Sequence, residues 1–313
     1  MLLSLCFLAA IYMGWALGAN NTANLFGTGV ITGAVKYRTA IILCSVFVIL
    51  GSLLEGQKVI DIVAFTTELN IKIALLCALT AASLISVWTY LGFPVSTSKT
   101  MLGTVFGVSL YMDGLSHFPW HNFIRVMASW VTAPLGGMLI SIGLYKLMDI
   151  FTRRIKTLPA FTLVMKIGIM VAGSYGAYSM GAGNVANVTG VFVGAGIITP
   201  FAGTLIGGLA IALGACTYSR PVIETVGGKI VPLDIPAAFI AILATAIVVH
   251  FFAQLGIPVS VSTGIVGAII GIGVCKGVRT IDKKRVTRII AIGWVLNFIL
   301  AVFIPYFLLL LFW

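Results

Sequence analysis

Apolar runs close to twenty residues long recur from one end of this chain to the other. A run of that length matches the hydrocarbon core of a bilayer, about 30 Å. Backbone polar groups in hydrocarbon have no water to turn to, and an α-helix satisfies them within its own segment. The composition agrees: 60% of residues are hydrophobic and only 9% charged, where a soluble protein carries about 25%. The chain is therefore expected to be an all-α polytopic membrane protein with essentially no soluble domain. Its opening stretch, MLLSLCFLAAIYMGWALG, has no basic n-region and runs on without a cleavage signature. It reads as a first membrane helix. The net charge of +11 fits Lys and Arg retained in cytoplasmic loops. No basic domain stands clear of the bilayer, so nucleic acid is not an expected partner.

The sequence repeats itself. Gly18-Ala19-x-Asn21-x-Ala23-Asn24 recurs as Gly181-Ala182-x-Asn184-x-Ala186-Asn187, and Val59-Ile60-Asp61 as Val222-Ile223-Glu224, both 163 residues on. GFPVSTSKTMLGTVFG (92–107) recurs as GIPVSVSTGIVGAIIG (256–271), 164 residues on. Three motifs in one order at one spacing indicate a duplication. The expected organisation is a first membrane repeat at 1–148, a cytoplasmic linker at 149–159 and a second repeat at 160–313.

Loop charge gives the relative orientation of the repeats. Residues 36–38 are Lys-Tyr-Arg, against Thr-Pro-Phe at 199–201. The segment 276–288 holds Lys276, Arg279, Lys283, Lys284, Arg285 and Arg288, while its counterpart near 112–124 has no Lys or Arg. Equivalent loops of opposite charge bias face opposite sides, so the repeats are expected to be inverted, with an odd number of crossings each. Spans near 1–34, 39–54, 73–91, 94–112 and 123–148, then 160–195, 202–218, 237–255, 258–275 and 289–313, leave both termini outside. Arg153, Arg154 and Lys156 fall in the cytoplasmic linker. The first segment of each repeat is too long for one straight span, and a helix break is expected at its Gly/Asn signature.

A broken helix in a membrane is tolerated where it lines a cavity. In inverted-repeat carriers such helices meet near the midplane, and half-helix N-termini offer N–H groups to anions. The PVSTS and PVSVS segments suit re-entrant-like hairpins that open helices: Pro94 and Pro258 fit a helix start, and Ser96, Thr97, Ser98, Ser260, Ser262 and Thr263 add hydroxyl donors. Such hydroxyls can also simply bond their own helix, but here they recur by symmetry beside two asparagine signatures. The candidate anion site is therefore Asn20, Asn21, Asn24, Asn184 and Asn187 with those six hydroxyl residues. Lys99 joins the list because a lysine within a membrane segment is costly and by default functional; the alternative is snorkelling to the interface.

These residues resemble the inorganic phosphate transporter family. The resemblance rests on the doubled Gly-Ala-Asn-x-x-Ala-Asn signature, the Gly-x-Pro-Val-Ser-Thr hairpin and the stretch Val222-Ile223-Glu224-Thr225-Val226-Gly227-Gly228-Lys229-Ile230, and covers nearly the whole chain. It implies a cation-coupled oxyanion permease of inverted-repeat architecture, commonly a homodimer, in the cell (inner) membrane. The family signature usually reads Gly-Ala-Asn-Asp, and its aspartates help hold sodium in phosphate-transporting relatives. Here those positions are Asn21 and Asn184, and the hairpin position often filled by His is Lys99. The local formal charge is about +3 relative to a typical member. Phosphate at neutral pH carries an O–H that wants an acceptor, whereas sulfate only accepts, so a carboxylate-free set of donors favours sulfate. The short loops and the Ser-Thr-Ser hairpin look like the family's bacterial sulfate permease branch. The expectation is sulfate import by proton symport. The alternatives are sodium- or proton-coupled phosphate transport, since amides near Asn21 and Asn184 could also ligate a cation, and a passive anion channel.

Other features carry less. His117 and His121 have the spacing of helical metal ligands, but Pro119 lies between them, and Trp120 reads as part of an interfacial belt. His250 stands alone near a span end; a proton relay there is the sharper reading and packing the blander one. Glu55, Asp61 and Glu224 lie between spans as caps, ion pairs with Lys58 or Lys229, or proton acceptors. The five cysteines (Cys6, Cys44, Cys77, Cys216, Cys275) show no metal or disulfide spacing, and Gly271-x-Gly273 with Gly277 has no βαβ unit around it. No cofactor is expected. Nothing supplies a nucleophile with a base inside a span, which argues against an intramembrane enzyme, and a scaffold would have no reason to repeat the asparagines.

Overall fold

The computed structural model describes residues 2–64, 70–112, 114, 120–152, 155–226, 233–277 and 281–312. The first half contributes α1 (Leu2–Ile31), α2 (Tyr37–Glu55), α3 (Gln57–Ala64), α4 (Ile71–Tyr90), α5 (Thr97–Met112) and α6 (Trp120–Thr152). The second contributes α7 (Leu158–Asn184), α8 (Ala186–Gly194), α9 (Pro200–Tyr218), α10 (Arg220–Val226), α11 (Ile235–Gln254), α12 (Val261–Lys276) and α13 (Lys283–Arg288). α13 continues through π-helical turns, Ile289–Leu296, into α14 (Asn297–Phe312). The described residues form no strand. Among the described residues eight helices are long and apolar enough to cross a membrane, and Leu8, Ile42, Leu139 and Val171 expose their side chains on the outside of the bundle. This is a multi-pass membrane protein.

Local signals set the boundaries, and they recur with the sequence motifs. α2 and α9 are both 19 residues long and start 163 apart; α4 and α11 are both 20 residues long and start 164 apart. Asn70 caps α4 by accepting from the amides of Lys72 and Ile73 at 3.0 Å, and Asp234, its counterpart, caps α11 by accepting from Ala237. Such caps satisfy N–H groups that the first turn leaves free. The turns at Gly33 and Gly196, and those at Gly92 and Gly256, hold φ between 68° and 72°, where a Cβ is strained and glycine is not.

Two expectations need correction. The Gly/Asn signature does not break α1, which runs unbroken for 30 residues. In the second half the helix is interrupted only at Val185, which keeps helical angles (φ −59°, ψ −31°) and still donates to Gly181 O. The reason is that neighbouring helices supply partners for the asparagine side chains, so the backbone keeps its own hydrogen bonds. The irregular backbone at depth lies instead in the hairpin turns 91–96 and 255–260, where Pro94, Val95, Ser96, Pro258, Val259 and Ser260 are buried. The expected spans at 94–112 and 258–275 are the 16-residue helices α5 and α12. At 1.5 Å per residue these reach about 24 Å, less than a full crossing. Arg153, Arg154 and Arg279 lie outside the described residues.

The halves interlock rather than stand side by side. α1 packs on α9 as α7 packs on α2, and α5 packs on α14 as α12 packs on α6. Glycine allows the closest contacts. A Cβ on Gly18 would overlap the carbonyl of Ile211 in α9, and one on the equivalent Gly181 would overlap the carbonyl of Val48 in α2. Small residues permit such backbone approach between membrane helices.

Candidate functional site

α1, α7 and α8 present the asparagines inward, and the turns before α5 and α12 bring the hydroxyls to meet them. Asn21 Nδ2 donates to Thr97 Oγ1 at 3.1 Å, and Asn21 Oδ1 accepts from Ser262 Oγ at 3.4 Å. Asn24 Nδ2 donates to the same Ser262 hydroxyl at 3.3 Å. In the other half, Asn187 Nδ2 donates to Ser98 Oγ at 2.9 Å and to Asn184 Oδ1 at 3.2 Å, and Ser98 Oγ donates to Asn184 Oδ1 at 3.4 Å. Ser98 and Ser262 are equivalent positions, and each reaches the asparagine pair of the opposite half. One two-sided cluster results. Its members Asn21, Asn24, Thr97, Ser98, Asn184, Asn187 and Ser262 are all at most 1% exposed.

The cluster is polar but uncharged: none of these hydrogen bonds involves a carboxylate. Asn24 Oδ1, Asn187 Oδ1, Asn184 Nδ2 and Ser96 Oγ are buried without a hydrogen-bond partner. A buried unpaired polar group costs about 1–3 kcal/mol, and native structures keep few of them. Four in so small a region mark a place where a ligand would complete the bonding. The free amide oxygens belong to Asn24 and Asn187, whereas those of Asn21 and Asn184 are engaged. A cation held by amide oxygens would therefore sit beside the former pair rather than near Asn21 and Asn184. Among the described residues no group of three His, Cys, Asp or Glu could hold a metal ion.

Four candidates are placed differently from the sequence expectation. Asn20 faces the first hairpin turn, donating to Thr89 Oγ1 (2.9 Å) and Phe93 O (3.1 Å) and accepting from Val95 N (3.1 Å). It braces the turn and has no free donor. Its counterpart is Gly183, and Thr89's counterpart is Ala253, so the second turn has no such brace. Ser260 donates to Ser262 and accepts from Thr263 Oγ1 through its carbonyl, which makes both supports of the second turn. Lys99 lies on the face of α5 turned away from the asparagines. Its ammonium sits 4.3 Å from the Trp294 ring centroid and 5.2 Å from that of Trp130, and the residue is only 6% exposed. It neither touches the cluster nor snorkels.

Thr89, Trp130, Trp294 and Asn297 were not singled out from sequence. Asn297 Nδ2 donates to Thr100 Oγ1 at 2.6 Å while its Oδ1 is buried and unpaired. An asparagine inside the apolar run NFILAVF was the signal that could have found it. His117, Pro119 and Lys229 lie outside the described residues, as does the side chain of Glu224. The cysteines are free, and Lys58 bonds Gln254 rather than Asp61.

Comparison with known proteins adds four findings. The model of a family described as the phosphate transporter family matches residues 17–305. The sulfate permease CysP of Bacillus subtilis is 31% identical over 310 residues, covering 97% of this chain and 86% of that one. Inorganic phosphate transporter 2-1, chloroplastic, of Arabidopsis thaliana is 25% identical, covering 93% and 68%. A solved structure titled the sodium-dependent phosphate transporter superposes over the full length of both chains with a TM-score of 0.86 at 23% identity, a likeness of fold.

Proposed function

Because this chain belongs to the phosphate transporter family, and is thus a membrane transporter and not an enzyme, we propose that it imports sulfate by proton symport. The observation that carries this reading is the uncharged asparagine–hydroxyl cluster. Amide N–H and hydroxyl groups surround it, and Asn21 and Asn184 stand where the family signature has Asp. A dianion that only accepts hydrogen bonds is served by donors and repelled by carboxylates. A site without aspartate also has less with which to hold sodium. The similarity to a sulfate permease supports the same substrate. Asn21, Asn24, Thr97, Ser98, Asn184, Asn187 and Ser262 would contact the anion; Asn20, Ser260 and Thr263 would hold the turns.

A second reading is sodium- or proton-coupled phosphate transport. It is favoured by the free oxygens of Asn24 and Asn187, which could accept from a phosphate O–H or ligate a cation, and by the phosphate transporters among the similar proteins. Uptake of radiolabelled sulfate and phosphate into proteoliposomes, under imposed proton or sodium gradients, separates the two. Sulfate uptake driven by an inward proton gradient supports the first reading. Sodium-driven phosphate uptake overturns it, and downhill flux alone makes the protein a channel.

The proposal extends to architecture. The repeats 1–148 and 160–313, joined by the linker 149–159, would be inverted copies of five crossings each, α5 and α12 completing the fifth together with the buried turn residues before them, with both termini outside the cell (inner) membrane and two chains forming a homodimer. The recurring element lengths, the exchange-symmetric packing and the opposite loop charges support the inversion. Cysteine labelling of the termini in intact cells tests the orientation.

A further inference from the structure

Away from the asparagine cluster, α2, α3, α7 and α11 gather a set of titratable groups that the anion site does not use. Glu55, the last residue of α2, accepts at Oε2 from His250 Nε2 of α11 at 3.0 Å. The other ring nitrogen, Nδ1, meets the Tyr175 hydroxyl of α7 at 2.7 Å. Tyr178, one turn on, meets the imidazole edge to face, with ring centroids 5.8 Å apart. Gln254 donates to Glu55, and Lys58 of α3 donates to Gln254 Oε1 at 2.8 Å. The Glu55 and His250 side chains are 24% and 22% exposed, so protons can reach them while both remain mostly enclosed.

The other half of the molecule provides an internal control. The repeat spacing sets Tyr218 opposite Glu55, Ser86 opposite His250, Tyr12 opposite Tyr175, Trp15 opposite Tyr178 and Tyr90 opposite Gln254. There the same junction is made by aromatic packing. Tyr12 and Trp15 have ring centroids 6.2 Å apart, Trp15 and Tyr218 6.0 Å, and Trp15 Nε1 donates to Thr217. The fold closes this junction without a carboxylate or an imidazole. The acid–base pair on one side therefore calls for a reason other than packing.

Its position supplies one. Tyr178 lies six residues before Asn184 on the same helix path, and Ala253, three residues after His250, packs beside Gly183. α11 then leads through the turn that ends at Ser260 into α12, whose first turn carries Ser262. Glu55 belongs to the first half and His250 to the second, so the pair spans the contact between them. With neutral imidazole the link is a hydrogen bond to a carboxylate; with imidazolium both partners are ionised and it becomes an ion pair.

We propose that Glu55 and His250 form the site that binds the coupling proton, a second ion site separate from the anion cluster. It rests on the proton-coupled reading above. The carboxylate–imidazole pair carries a net charge of −1, takes one proton from the outer side to become neutral, and returns that proton to the inner side. Proton binding tightens α2 to α11 and so biases how the halves sit while the second hairpin holds the anion. Tyr175 and Tyr178 orient the pair, and Lys58 is the nearby fixed charge.

The test uses the full-length protein in proteoliposomes with a trapped pH-sensitive dye and radiolabelled sulfate, comparing E55Q, H250Q and the exchange variant E55Y/H250S, which copies the other half. The wild type is expected to bring in protons with sulfate. E55Q and H250Q are expected to lose gradient-driven accumulation by about tenfold or more, while exchange of labelled for unlabelled sulfate at equal pH stays within about threefold. Accumulation at wild-type level in both variants overturns the assignment. So does a loss of exchange in step with accumulation, which would make the cluster structural; E55Y/H250S, with elution and melting like the wild type, guards against misfolding as the cause. Sulfate uptake by the wild type without proton influx overturns the proton-coupled reading itself, and this site with it.

Discussion

Asn20→Ala tests the division of labour between bracing and binding. The side chain holds three groups of the first hairpin: the Val95 amide, the Phe93 carbonyl and the Thr89 hydroxyl. Thr89 keeps its own bond to Ile85 O at 2.7 Å, so its loss is small. Val95 and Asn20 are fully buried, and an amide or carbonyl left unpaired there costs about 1–3 kcal/mol. The turn is thus expected to lose roughly 2–4 kcal/mol of local stability, which corresponds to opening about 30-fold to nearly 1,000-fold more often. Hydrogen–deuterium exchange read by mass spectrometry reports this directly, because local opening sets amide exchange. The peptide covering 91–96 should exchange faster by that factor in N20A, while 255–260, whose equivalent position is already Gly183, should not change. Asn20→Asp, which keeps the acceptor for Val95 but loses the donors, should fall between. Exchange across 91–96 within about threefold of wild type would refute the bracing role.

Other perturbations separate the remaining parts. Asn184→Ala removes the acceptor for Ser98 and Asn187 and an unpaired donor, and should weaken sulfate binding about 10- to 100-fold by equilibrium binding. Unchanged affinity would mean the cluster is not the site. Asn21→Asp with Asn184→Asp restores the carboxylates of the family signature and should shift competition for uptake from sulfate toward phosphate. Lys99→Met should change sulfate affinity less than Asn184→Ala, because the ammonium faces Trp130 and Trp294; a larger loss would put Lys99 in the anion's path. Gly18→Ala forces a Cβ into the Ile211 carbonyl and should cost about 1–3 kcal/mol. Gly143, whose added Cβ meets nothing within 4 Å, is the control, and equal melting of G18A and G143A would contradict the close α1–α9 contact.

Sequence patterns revealed much of this molecule because it says most things twice. The doubled signature and hairpin are local features, and they predicted which residues meet; the capping pair Asn70 and Asp234 and the turn glycines repeat at the same spacing but were not singled out from sequence. Seven of the twelve candidate residues assemble into one cluster. Partner geometry was not legible. Asn20 and Asn21 are neighbours in sequence, but 100° of helix rotation sends one to the turn and the other to the cluster. The same rotation carries Lys99 away from Thr97 and Ser98. The unbroken course of α1 depends on acceptors some seventy residues away, and Glu55 meets His250 across 195 positions. Such pairings follow from packing and leave no local mark.

The exchange of partners between the halves also bears on how the protein is made. α2 finds its main neighbours in α7 and α9, and α6 finds its own in α12 and α11. All four are synthesised after the first half has left the ribosome. Until they arrive, the glycine faces of α1 and α2 and the polar side of α5 have only lipid or the insertion machinery against them. Neither half can finish alone, so assembly is a late event driven by the last helices to emerge. A chain ending before α7 would strand an inserted but unassembled first half, a natural substrate for membrane quality control.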